Sequence, residues 1–180
     1  MKKPFSKPPT VFAFVDSQNL NLGVQKAGWK MDWRKFREYL QVEHNVSRAY
    51  LFIGYMQEHE DMYNQLHDVG FLIVLKPTLE IMSSENKDKP IVKGNIDAEL
   101  VLYAMKEMPN YQQAIIVSGD GDFYCLAEYL ADKGRLKHVM TPNRQYSSLL
   151  KPYEKYIIRI DQLRSQLEHK DYRRKPAKRK

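Results

Sequence analysis

At 180 residues and 43% hydrophobic side chains, the chain has room for one domain with a real core and is too apolar for a disordered polymer. No apolar run nears the roughly 20 residues of a membrane span, and the opening MKKPFSKPPT has prolines where a signal peptide has its apolar segment. The net charge of +7 is unevenly placed: residues 1–10 and 169–180 hold ten of the 29 Lys/Arg and one of the 22 acids, which leaves 19 bases against 21 acids between them.

That split suggests three parts: an extended basic lead-in over 1–10, a near-neutral domain over 11–168, and a disordered basic tail over 169–180 that attracts phosphate backbones without reading sequence. After the lead-in, Val11–Val15 (VFAFV) is an unbroken apolar run, as expected of a strand buried on both faces, and it ends at Asp16. Asp32–Leu40 has helical spacing at Trp33, Phe36 and Leu40, with Asp32 placed to cap it. Ser47–Gly54 reads as a second strand. Glu58–Val69 reads as a polar helix with Met62, Leu66 and Val69 inward and Gly70 as its stop. Phe71–Leu75 is a third strand, and the polar Lys76–Pro90 an irregular loop. Asn95–Met108 reads as a helix capped by Asn95, with Ile96, Leu100, Val101 and Ala104 on its buried stripe. Ala114–Val117 is a fourth strand, SGDGD a tight turn, Phe123–Lys133 a helix closed by Gly134, and Leu136–Met140 a fifth strand. Ser147–Leu150 is a short turn or helix, Ile157–Ile160 a sixth, edge strand, and Gln162–His169 an amphipathic helix.

Strands alternating with helices at this spacing specify an α/β fold with a mostly parallel sheet of five or six strands and helices on both faces. Ligands in such sheets bind beyond the carboxyl ends of the strands, where strand order switches. Two strands here end in acid: the first at Asp16, the fourth at Asp120 with Asp122 two residues on. Asp97, in the first turn of its helix and three and four residues before Leu100 and Val101, borders the buried face; Glu99 points away and reads as surface. Each aspartate alone also suits a cap or an Asx-turn. Together they make an acidic cluster, and close carboxylates repel unless protonated or bridged by cations. Hard divalent ions such as Mg²⁺ or Mn²⁺ prefer oxygen ligands and suit phosphodiester hydrolysis.

Around these acids, Asn19 and Ser118 are placed to orient an aspartate or meet substrate, Lys93 to meet a phosphate, and Asn143 and Arg144 to lie on the same sheet edge. The five histidines lie in different elements, with no paired spacing that suits a metal. The lone cysteine, Cys125, allows no internal disulfide and no thiolate zinc site, suits a reducing cytoplasm, and reads as core rather than nucleophile. Trp29 and Trp33 read as packing residues before base-stacking ones. No phosphate-binding glycine loop and no nucleophile elbow is present.

FVDSQNL (Asp16, Asn19), KGNIDAEL (Lys93, Gly94, Asp97) and IIVSGDGDF (Ser118, Gly119, Asp120, Asp122) resemble, in order and spacing, the NYN domain family, of the LabA-like branch of the PIN-like nucleases. The resemblance spans roughly Val11 to Ile160. It implies a PIN-like Rossmannoid three-layer sandwich, a Mg²⁺ or Mn²⁺ site held by Asp16, Asp97, Asp120 and Asp122, and RNA as substrate. Where family members often carry another acid, about six residues after the Asp97 position, this chain has Tyr103. The expectation is a metal-dependent ribonuclease acting on single-stranded or structured RNA. The alternatives are a non-catalytic RNA-binding or regulatory module on the same fold, and a small-molecule phosphohydrolase. Against the last, the aspartate pair follows the fourth strand rather than the first.

Overall fold

VFAFV and AIIV, in the two central strands of the sheet, are buried at every position, because helices cover both faces there. A computed structural model describes residues 8–54, 59–76, 79–81, 91–93 and 96–170, with 79–81 and 91–93 described by backbone alone. The first half runs β1 (Val11–Asp16), α1 (Ser17–Lys26), α2 (Trp33–His44), β2 (Val46–Gly54), α3 (Glu60–Asp68), β3 (Leu72–Lys76), β4 (Leu79–Ile81) and β5 (Ile91–Lys93). The second runs α4 (Asp97–Lys106), β6 (Gln113–Val117), α5 (Tyr124–Asp132), β7 (Leu136–Thr141), β8 (Ile157–Arg159) and α6 (Arg164–Leu167).

The main sheet has six strands, all parallel, in the order β3-β2-β1-β6-β7-β8. From β1 the chain moves outward one way to β3; from β6 it moves outward the other way to β8. The switch therefore falls between β1 and β6, the two central neighbours. Residue alternation along β1 builds both cores. Val11, Ala13 and Val15 pack with Leu20, Val24, Phe36 and Leu40 of α1 and α2. Phe12 and Phe14 pack with Leu100, Ala104, Leu126 and Leu130 of α4 and α5. The second core is aromatic beneath β1: Phe14 stacks on Tyr50 at 5.5 Å and meets Tyr111 edge-on at 5.7 Å. Truncating a side chain as enclosed as Phe14 costs about 3–5 kcal/mol.

Several elements differ from the expectation. Helix α1 was not foreseen: its sequence SQNLNLGVQK buries only Leu20 and Val24. In α3, Tyr63 and Leu66 face inward while Met62 is exposed. Cys125 is exposed rather than core, because α5 buries Leu126, Ala127 and Leu130. Within the segment expected to be irregular, β4 forms and pairs antiparallel with β5. The short turn read at Ser147–Leu150 opens a longer 3-10 segment, Ser148–Tyr156. The last helix is a 3-10 turn, Ile160–Leu163, followed by the single turn of α6. Asn95, expected as a cap, lies outside the described residues. No described helix is long and apolar enough to cross a membrane.

Candidate acidic site at the switch in strand order

Register decides what meets at the switch. Val15 of β1 pairs with Val117 of β6, so Asp16 and Ser118 leave the sheet side by side. Asp16 is only 5% exposed, and both its oxygens are engaged. Oδ1 accepts the Asn19 N–H at 3.0 Å, which caps α1, and Oδ2 accepts the Ser118 hydroxyl at 3.2 Å. The same hydroxyl oxygen accepts the Asp120 N–H at 3.1 Å, so Ser118 links two acids. Asp120 Oδ1 in turn accepts the Asp122 N–H at 3.1 Å and caps the 3-10 turn Gly121–Phe123. Asn19 closes the network from the other side: its side-chain carbonyl accepts the Gly119 N–H at 2.9 Å.

Glycine is required by close approach in this loop. A Cβ on Gly121 would overlap the Ser147 hydroxyl and lie 3.1 Å from Leu149 Cδ1. One on Gly119 would lie 3.3 Å from Pro142 Cδ and Tyr146 Cβ. Ser147 also donates its N–H to the Gly119 carbonyl at 2.9 Å. The SGDGD turn is thus held between α1 and the segment after β7.

Burial pushes the Asp16 carboxyl up to about 6. The Asn19 and Ser118 hydrogen bonds oppose this, while the charges of Asp97 and Asp120 add to it. Two of the other expected aspartates, Asp97 and Asp120, therefore act on Asp16 across the switch. Asp97 does so from the start of α4, which packs against β1 and the Gly121–Phe123 turn. Asp122 is exposed and not among the groups that act on Asp16. Glu99 is half-buried and paired with Lys76 at 3.0 Å. Lys93 closes β5 opposite Leu79, and its side chain lies outside the described ones.

Asn143 turns inward: its Nδ2 donates to the Gly23 carbonyl at 3.0 Å, and its Oδ1 accepts the Gln145 N–H at 2.7 Å. It shapes the loop after β7, from which Arg144 projects exposed. This loop and α1 enclose a cleft of about 180 Å³ between Asn19, Leu22 and Lys26 on one wall and Pro142, Asn143 and Gln145 on the other. The closeness of the walls is set by Gly23, where a Cβ would overlap the Pro142 ring. Helix α1 is the part of the site that the sequence reading missed. The one local sign is Asp16, a residue type favoured at a helix N-cap, which accepts the Asn19 backbone N–H.

Among the described residues, no three carboxylate, imidazole or thiol groups stand close enough to enclose a cation. The donor set is nonetheless all oxygen, with a buried carboxyl repelled by two others. It fits a hard, hydrated ion that takes one or two carboxylates and keeps several waters, and does not fit a closed cage.

Residues 10–161 match the family model of the NYN domain. The Low amplitude and bright protein LabA of Synechococcus elongatus is 25% identical over 166 residues, which are 90% of this chain and 89% of that protein. The crystal structure of a protein of unknown function from Vibrio parahaemolyticus superposes with a TM-score of 0.72 at 24% identity, over 91% of this chain and 99% of that one, and shares its fold. With the match running from the residue before β1 to the turn after β8, the chain belongs to the NYN domain family.

Proposed function

We propose that this protein is a metal-dependent ribonuclease that hydrolyses RNA phosphodiester bonds at the β1–β6 switch. The observation that carries this reading is the Asp16–Ser118–Asp120 linkage, with Asp97 alongside. It gathers negative charge at the sheet edge where α/β folds bind ligands, and no described basic side chain bonds to Asp16 or Asp120. The NYN domain supports it by pointing to a PIN-like nuclease family.

In this reading Asp16, Asp97, Asp120 and Asp122 would together hold a hydrated Mg²⁺ or Mn²⁺, one or two of them directly and the others through its waters. When bound, the ion supplies a polarised phosphoryl oxygen and a more acidic water. The chain supplies the rest. Ser118 fixes the Asp16 carboxylate relative to the backbone of Asp120. Asn19 fixes the loop that carries Asp120 and lines the cleft, and among the described residues its amide N–H groups make no hydrogen bond. Burial of Asp16 keeps its second lone pairs away from bulk water until a cation arrives. The exposed Cys125, without an internal partner, suits a reducing compartment such as the cytoplasm.

Labelled single-stranded RNA incubated with Mn²⁺ tests the proposal. Cleavage by the wild type that falls to background in Asp120→Asn and Asp16→Asn supports it. Equal products from all three proteins, or tight binding by the wild type without turnover in either metal, sinks it; the second result favours an RNA-binding module.

A further inference from the structure

The cleft beside Asn19 does not close at its far end. It shares Lys26, Asn143 and Gln145 with a larger groove of about 390 Å³, whose outer part is walled by Arg144, Arg159 and Asp161. Three cations border this passage, and they are not equivalent. Arg159 is clasped by Asp161, Nε to Oδ1 at 3.1 Å and Nη2 to Oδ2 at 2.6 Å, so its charge is cancelled locally. Lys26 and Arg144 are exposed, and among the described residues neither forms an ion pair. The floor between them is rigid, because Asn143 spends its amide on Gly23 and its carbonyl on Gln145.

The passage thus runs from Gly119, the residue before Asp120 of the acidic site, to an uncompensated basic end. Phosphates are repelled at the first unless a cation is present, and attracted at the second without one. We propose that Lys26 and Arg144 hold phosphates of single-stranded RNA that flank the reacting one, so that the groove is the track of the strand as it leaves the acidic site. The end of the track rests on the nuclease reading; the two contacts do not. Both side chains offer charge and hydrogen-bond donors without a built base pocket, so the grip is on the backbone and independent of sequence.

Fluorescence anisotropy with a labelled oligouridylate tests this in full-length protein carrying Asp120→Asn to prevent turnover. Two charge reversals are compared. K26E/R144E alters the groove. K106E/K133E makes the same change at the ends of α4 and α5, which start at the acidic edge and finish at the opposite one. The expected result is binding weakened on the order of tenfold or more by K26E/R144E. The slope of log K against log salt should fall by roughly 1.4, the value for two contacts to a single strand. K106E/K133E should leave both within about twofold, the small change expected of remote surface charges. K26A/R144A, which adds no negative charge, should show the same slope change. Equal weakening by both reversals, or no change in K26E/R144E, overturns the proposal. Loss of binding in K26E/R144E together with a wild type that never cleaves keeps the groove as a binding track and removes the nuclease reading.

Discussion

The side-chain carbonyl of Asn19 accepts the backbone N–H of Gly119 at 2.9 Å, joining the first turn of α1 to the loop that presents Asp120. These residues are a hundred positions apart, and the bond fixes one wall of the cleft to the other side of the switch. Asn19→Leu leaves the part-buried Gly119 donor without its acceptor, at a cost of about 1–3 kcal/mol. Urea unfolding should show a lower midpoint with an unchanged slope. An altered slope would place the effect in the denatured ensemble instead.

Asp16 makes the folded protein pay for its site at neutral pH. Its carboxyl, raised by burial to about 6 against an ordinary 3.8, holds its proton more tightly when folded. The associated stability is complete below about pH 3.8 and is lost as pH rises through 6. Asp16→Asn should therefore be more stable than wild type at pH 7 in EDTA, by about 2–3 kcal/mol for a shift of this size. The advantage should vanish near pH 4. Adding Mn²⁺ at pH 7 should raise the wild-type melting temperature and leave Asp16→Asn unmoved. A metal shift in both would separate the ion from Asp16.

His44 pulls the other way. Burial is the main cause that lowers it from 6.5 to about 4, with His138 and Lys137 adding to it. The two imidazoles sit 4.9 Å apart, ring edge to face, and His138 is lowered too. His44 is neutral in the folded state and takes a proton on unfolding. Its contribution is present above about pH 6.5 and is lost as pH falls through 4, and His138 acts in the same direction. Because this window overlaps that of Asp16 with opposite sign, the wild type should show a shallow profile between pH 4 and 6.5. His44→Phe should tilt the profile so that stability rises on acidification. Asp16→Asn should tilt it so that stability falls, by about 2 kcal/mol after allowing for solvent screening.

Gly23 lies where α1 meets the segment after β7, and a Cβ there would overlap the Pro142 ring. Gly23→Ala adds a methyl that helix propensity alone would welcome. Overpacking against a rigid proline should instead destabilise by about 1–3 kcal/mol. Thermal melts against Lys26→Ala, at the exposed end of the same helix, check the assignment. A more stable Gly23→Ala would mean that the wall of the cleft yields.

The sheet was legible because VFAFV and AIIV are apolar at every position, which only a strand covered on both sides tolerates. Their terminal acids then located the candidate site. Helix α1 was not legible, since two buried residues in ten and an interior glycine leave little periodic signal. What fixes it is non-local: the Asn19–Gly119 bond, the Asn143–Gly23 bond and the approach of Pro142. Tyr63 rather than Met62 faces inward for a related reason. A polar helix carries few apolar residues to set its phase, and Tyr63 donates its hydroxyl to the Gly54 carbonyl at 3.4 Å. The roles of Ser118 and Asn143 depended on which hydrogen bonds were already made, which spacing does not encode.

The backbone near the end of the described chain is pinned. Met31 bridges Glu168, and His169 donates its N–H to the Lys30 carbonyl at 2.9 Å. Lys30 follows closely on Lys26, which lines the cleft and groove. The next ten residues, DYRRKPAKRK, carry six Lys/Arg against one acid. Their point of attachment is therefore fixed to the backbone at Lys30, and because they are tethered, their charge counts as a local concentration rather than a bulk one. For a polyanion bound as proposed, a tethered counter-charge adds to the chance of recapture, so recapture competes with escape.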